Sequence, residues 1–173
     1  VTDLKGMVVG VKGQVPGGRS TSQLFAEYVL RHGGVEIDQV NYVPAGQSYE
    51  SQHAALVSNS VDAIVADEPF ATRLVKSKVA FVLNDYHDPE MTRRLLGGLF
   101  LNGMVATRED LIARRPELAA KMVRTLRRSL VWINGHSAAE IVDALGVSDQ
   151  QERIALLDAL KVCKNIYSPD GKI

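Results

Sequence analysis

The chain has 173 residues, 20 Lys+Arg against 20 Asp+Glu, a pI near 7.1 and 46% hydrophobic residues. That length buries a real core, as one ordinary domain or two small lobes. Zero net charge lacks the basic excess a nucleic-acid binder brings to phosphates, and lacks an acidic tail or a basic membrane anchor. No apolar run approaches the roughly 20 residues that span a bilayer.

In chain order, Met7–Val11 is a β-branched run and reads as a buried strand. A glycine-rich turn follows from Gly13 to Ser22, with Ser20 and Gln23 at capping-box spacing. Leu24, Phe25, Tyr28 and Val29 share one helical face, and Gly33-Gly34 ends that helix. Val40–Val43 is a second strand, Pro44-Ala45-Gly46 a turn, and a helix starts near Ser48. Val61–Ala66 is a third strand, Pro69 opens a helix to about Lys76, and Val79–Leu83 is a fourth strand. This alternation implies a parallel sheet covered on both faces. The fold class is therefore α/β, a parallel-type sheet lobe followed by a helical C-terminal portion.

After His87 the character changes. Asn84–Gly98 reads as a polar loop or short helix, and Leu99–Ala106 as a fifth strand. Thr107 with Asp110 starts a short helix. Pro116 starts a long one carrying Leu118, Met122, Leu126, Leu130 and Ile133. Ser137 with Glu140, and Ser148 with Gln151, cap two more, Gly146 closing the first.

The candidate chemistry lies in the strand-to-helix turns. Gly17-Gly18-Arg19-Ser20-Thr21-Ser22 combines free helix-start N–H groups, hydroxyls and a guanidinium fork, all suited to anionic oxygens. It is neither a Walker loop nor GxGxxG. The bland alternative is a capped helix with a solvated Arg19. The second turn holds Gln47, and the third holds Asp67 and Glu68. In a parallel sheet the three turns share one edge, where ligands of open α/β sheets bind. Asp67 and Glu68 suit a ligand amine or hydroxyl, although acids before Pro69 also serve as ordinary caps.

His32, His53, His87 and His136 form no metal-binding spacing, and the Asp85–Glu90 charges read as a solvated loop, so neither metal nor cofactor is expected. Cys163 is the lone cysteine and reads as a buried thiol. No GxSxG elbow is present.

Three stretches together resemble a known family. They are Asp3-Leu4-Lys5-Gly6 with the Gly18–Ser22 turn, Val61–Phe70 ending Asp67-Glu68-Pro69-Phe70, and Arg108–Leu111 with Pro116 and Trp132-Ile133-Asn134. They resemble the substrate-binding proteins of ABC transporters for sulfonates, nitrate and thiamine precursors, the SsuA/NMT1-like group with the periplasmic binding protein type 2 fold. The resemblance implies two α/β lobes closing on a solute. Residues 1–99 would be the ligand-binding lobe, and residues 100–173 a crossover strand and the helical part of the other. It also implies an upstream half-lobe, an apolar patch where that half would pack, and a homodimer or domain swap of this piece alone. The start at Val1, without a signal segment, fits a processed or excised form.

Carried over residue by residue, Ser20 and Thr21 match the ligand-facing turn behind Gly18, and Glu68-Pro69 match the family's Glu-Pro. Asp67 replaces a frequent Trp, and Arg19 is an added charge. The implied function is capture of a small anionic solute, without catalysis, and delivery to a membrane permease from the periplasm or cell exterior. An enzyme on the same fold and the effector domain of a transcription regulator are the alternatives.

Overall fold

Val8, Val9 and Val11 are stiff, β-branched residues, and they form the central strand β1 (Val8–Val11). The computed structural model describes residues 1–13, 18–98, 103, 105–164, 167–169 and 171. β2 (Asn41–Pro44) and β3 (Ala63–Ile64) flank β1, both parallel to it, in the order β2-β1-β3. Val9 lies opposite Tyr42 on one side and Ala63 on the other. α1 (Thr21–His32) joins β1 to β2, and α2 (Tyr49–Val57) joins β2 to β3. The two crossovers run in opposite directions along the sheet, so right-handedness places α1 and α2 on opposite faces. α3 (Phe70–Lys76) follows β3 and packs on α2.

One core lies between β1 and α1. Val9, Val11, Ala26, Leu30, Val35 and Val40 are buried together. Removing each Val or Leu of that set from water contributes about 1.5–3 kcal/mol. Gly10 points to the other face, where an added Cβ would stand 2.7 Å from the Ala45 Cβ and 3.2 Å from Ile64.

Contacts divide the chain into two units, Val1–Asp85 and Tyr86–Ile173. In the second, α4 (Pro89–Leu96) is capped by Asp88 and closed by Gly97 at φ 76°. α5 (Glu109–Arg114) packs on α6 (Pro116–Gly135), and α7 (Ala138–Ala144) packs on α8 (Gln150–Cys163). Ile141, Val142 and Leu160 form the second core, with Ile133 of α6 against it. Cys163 is buried. No helix of the described residues is long and apolar enough to cross a membrane.

Several expectations need correction. Val79–Leu83 is not a strand; Phe81 is 79% exposed and Val82 55%. A strand needs a partner ladder, and among the described residues β3 pairs only with β1. Four residues of the fifth-strand segment, 99–102, and residue 104 lie outside the described residues. The Gln23 side chain does not return to Ser20 but donates to Glu27, so Ser20 caps α1 without a reciprocal bond. Arg108 and Asp149, not Thr107 and Ser148, precede α5 and α8. Asp149 accepts from the Glu152 N–H at 2.7 Å, while Asp110 is drawn to Arg108 and Arg114. The stripe on α6 is real but only partly covered: Leu118 and Met122 are 41% and 50% exposed and no residue of α6 is buried, while Ile133 at its far end packs on the second core.

Candidate functional site

Parallel strands deliver their C-terminal turns to one sheet edge, and three such turns meet solvent here. The turn after β1 leads to α1 on one face, whereas the turn after β3 leads to α3 beside α2 on the other. The edge between β1 and β3 is thus the point where the chain departs in opposite directions, the usual ligand crevice of an open α/β sheet.

The turn after β1 starts at Lys12. Its N–H donates to Ser22 Oγ at 2.8 Å, and Ser22 Oγ donates back to the Lys12 carbonyl at 3.1 Å. One hydroxyl therefore ties the strand end to the first turn of α1. Ser20, buried, accepts from the Gln23 N–H at 3.3 Å and lies 3.1 Å from Ser22 Oγ. Its oxygen is committed to the cap. Thr21, Gly18 and Arg19 are exposed. Gly17 and the three residues before it lie outside the described residues. The first N–H groups of α1 have no intrahelical acceptor, which gives this rim its positive end of the helix dipole.

Arg19 Nη1 donates to Glu27 Oε2 at 2.9 Å, and Gln23 Nε2 donates to Oε1 at 3.0 Å. The Glu27 side chain is 4% exposed and that of Arg19 52%. One end of the guanidinium thus neutralises a buried carboxylate while the remainder stays wet. The Tyr42 phenol is pushed above its ordinary value, first by burial and then by the Glu27 carboxylate, with Arg19 opposing. Its hydroxyl is buried without a hydrogen-bond partner.

The turn after β2 is locked by Ala45 N–H to the Val11 carbonyl at 2.9 Å and by the reciprocal Ser48–Ser51 cap of α2. Gly46 sits at φ 83°, where any Cβ would collide with Ser51. Gln47 is exposed, and its Nε2 lies 3.4 Å from the space a Cβ on Gly13 would fill. Behind this turn Gln52 is fully buried. Its Nε2 donates to the Gly46 carbonyl at 3.4 Å, and its Oε1 has no partner. A buried acceptor left in that state costs about 1–3 kcal/mol.

The turn after β3 carries Asp67 and Glu68. Glu68 Oε2 accepts from the Thr72 N–H at 3.2 Å, the capping role that an acid before Pro69 allows. Asp67 is exposed and ion-paired with Lys12 across the β1–β3 gap. Arg73 lies over the Tyr49 ring, 3.6 Å from its centroid, and 4.0 Å from Glu50.

Every candidate named from the sequence thus falls on this one edge: Gly18, Arg19, Ser20, Thr21, Gln47, Asp67 and Glu68. Sequence reasoning missed Lys12, Glu27 and Gln52, and it read Ser22 as one of the turn's hydroxyls without its tie to Lys12. Lys12 directly follows the strand, as a residue at a strand tip does, and that position was the available signal. The burial of Glu27 and Gln52 depends on tertiary packing and left no local mark. Among the described residues no three His, Cys, Asp or Glu side chains gather as metal ligands. Two grooves lie in the second unit: one of about 430 Å³ at Asn134, Lys161, Val162 and Lys164, another of about 150 Å³ between α7 and α8. The first surrounds Lys164, whose ammonium donates to the Asn134 and His136 carbonyls at the end of α6.

Comparison with known proteins places this geometry. The profile of the NMT1-like family matches residues 4–146. A solved structure from Bordetella bronchiseptica RB50 superposes with a TM-score of 0.76 at 24% identity, over 99% of this chain and 53% of that one. The chain thus spans about half the length of that solved relative. No curated protein matches. The chain belongs to the NMT1-like family, and its α/β architecture, a small parallel sheet with a mostly helical remainder, is a solute-binding-protein fold.

Proposed function

We propose that this chain is part of the solute-binding component of an ABC transporter, capturing a small anionic organic solute and delivering it to a membrane permease. Sulfonates, nitrate and thiamine precursors are the solute types in view, and the setting is the periplasm or the cell exterior. The observation that carries the reading is the single sheet edge on which three strand-to-helix turns converge, with the starts of α1 and α2 and the Lys12 ammonium among them. Such an edge orients donors towards a solute, which suits binding by domain closure. Gly18, Arg19, Ser20, Thr21, Gln47, Asp67 and Glu68 would line the solute. Residues 1–99 form the ligand-binding lobe in this reading, and 100–173 contribute to the other lobe.

The test is thermal stabilisation of the intact protein against sulfonates, nitrate, carboxylates and pyrimidines. A solute at 100 times its dissociation constant adds about 2.7 kcal/mol. For a chain of this order that raises the melting temperature by about 5–10 °C. The bound solute is expected to be recovered unchanged, and Thr21→Ala to weaken it. Conversion of the solute to product would replace this reading with an enzyme on the same fold, and a flat response across the panel would overturn it.

A further inference from the structure

We propose that the basic side of α6 is a docking surface for an acidic protein segment, one that sets carboxylates against Arg124 and Arg128 and an apolar side chain against Trp132. This surface belongs to the second unit, so it stands or falls without the solute site.

The first ground is uncompensated charge. α6 carries Lys121, Arg124, Arg127 and Arg128 against a single acid, Glu117, and Glu117 is taken by Arg115 at 3.2 Å. Elsewhere in the second unit Arg93, Arg108, Arg114, Arg153 and Lys161 each face a carboxylate, and Lys164 holds two carbonyls. Lys121, Arg124 and Arg128 are exposed and face no carboxylate among the described residues. Like charges three and four positions apart repel along a helix, and an arriving anionic surface relieves that repulsion.

The second ground is a fixed aromatic anchor beside those charges. Trp132 follows Arg128 by four positions, on the same side of the helix, and is 38% exposed. His136 stacks on it with ring centroids 4.1 Å apart at 23°, and His136 Nδ1 stands 2.6 Å from the Trp132 carbonyl. The indole is thus held before any partner arrives, and a side chain already ordered loses little freedom on binding. Arg and Trp are the residues that carry most interface energy.

The third ground is the arrangement, which selects protein over lipid. Arg124, Arg128 and Trp132 stand in file about 6 Å apart. Each guanidinium fork matches a carboxylate with two bonds. A helix lying on a membrane sinks its apolar side and turns its cations to water. On α6 the cations and the indole share one side, so sinking the indole would sink Arg128 with it. A protein surface with carboxylates beside an apolar pocket takes both. The Leu118–Met122 stripe lies on a different side of α6, so whatever covers it leaves the basic side open.

The experiment titrates the intact protein with a synthetic peptide bearing Glu at two positions four apart and Leu four further on, beside the same peptide with Gln for Glu. Binding is read by anisotropy of a label on the peptide and by the emission of Trp132. The Glu peptide is expected to bind, to shift Trp132 emission to shorter wavelength, and to weaken as salt shortens the Debye length from about 30 to about 8 Å. The Gln peptide is expected to bind at least about fivefold more weakly, and Arg124→Gln and Arg128→Gln each to weaken the Glu peptide by about fivefold. Arg94→Gln, which removes an equal charge from α4, is expected to leave it unchanged, and Trp132→Phe to abolish the emission shift. No binding of the Glu peptide, equal binding of the two peptides, or equal weakening by Arg94→Gln overturns the proposal. An emission shift with phosphatidylglycerol vesicles and none with the peptide overturns it in favour of lipid. A shift that follows protein concentration alone, and is lost in Arg128→Gln, overturns it in favour of a second copy.

Discussion

Replacing Arg19 by Ala tests whether that residue braces the ligand turn or stands free to meet solute. Its Nη1 lies 2.9 Å from a carboxylate whose side chain is 4% exposed. Breaking a buried pair from one side costs about 3–5 kcal/mol, because the remaining charge is stranded. Two features lower that here. Gln23 keeps its 3.0 Å bond to the other Glu27 oxygen, and Arg19 itself is half exposed, so part of its charge interaction is screened by water. A loss of about 2 kcal/mol follows, or about 4–8 °C for a chain of this size. Adding Glu27→Leu to Arg19→Ala removes the stranded charge, and apolar replacement of a whole pair is often neutral. The double variant is therefore expected to recover most of the loss, as read from urea midpoints of the two variants and wild type. An Arg19→Ala variant within about 0.5 kcal/mol of wild type would refute the reasoning. Glu27 would then need no partner, and the whole guanidinium would be available to solute.

Other outcomes follow from the same structure. Gly46→Ala places a Cβ against Ser51 at a left-handed φ of 83°, and is expected to cost about 2–3 kcal/mol from backbone strain and a broken cap, read by denaturant unfolding. Glu140 is held below its ordinary value, first by the Ser137 hydroxyl and then by the Ser137 N–H, with His136 and Lys164 helping. A carboxyl lowered in the folded state stabilises above its unfolded value of 4.5 and loses that contribution as pH falls through the folded value. Ser137→Ala should flatten this acid-side slope, and a slope equal to wild type would refute the assignment. Burial pushes Tyr86 up to about 12, so its phenol should stay protonated at pH 11 in ultraviolet titration of the folded protein. Fully normal titration of Tyr86 near pH 10 would refute that. The 173-residue chain alone is expected to self-associate in light scattering through the uncovered end of the α6 stripe, and Met122→Glu to shift it toward monomer; a monomeric wild type at high concentration would refute this.

Legibility in this sequence follows the range of the interaction that fixes each element. Helix ends decided by a residue and its close neighbours are readable, and Ser48, Pro116 and Ser137–Glu140 all sit where their helices begin. The errors at Ser148 and Thr107 are of one or two positions, where Asp149 and Arg108 stand close by. The shared edge of the three turns is readable too, because parallel topology alone brings them together. What a given side chain does there is not, since Arg19's partner is a buried acid two turns along α1 and Lys12's partner is 55 residues away.

Two of the places where pattern and structure part share one cause. Val79–Leu83 has strand composition, yet Phe81, Val82 and Leu83 stand in solvent; the α6 stripe has core periodicity, yet none of its residues is buried. Composition and periodicity report which surface an element must hide, not whether a neighbour is there to hide it. The β1–α1 layer meets that condition within the chain, since Val9 and Val11 face Ala26 and Leu30. The segment beyond β3 and the Leu118–Met122 end of the long helix do not meet it among the described residues. Both therefore belong to surfaces that require further packing, while the β1–β2–β3 edge already has its strands, caps and charge pair in place. The polar turns can accordingly be tested for solute contact one side chain at a time, whereas the α6 face is tested through what it associates with.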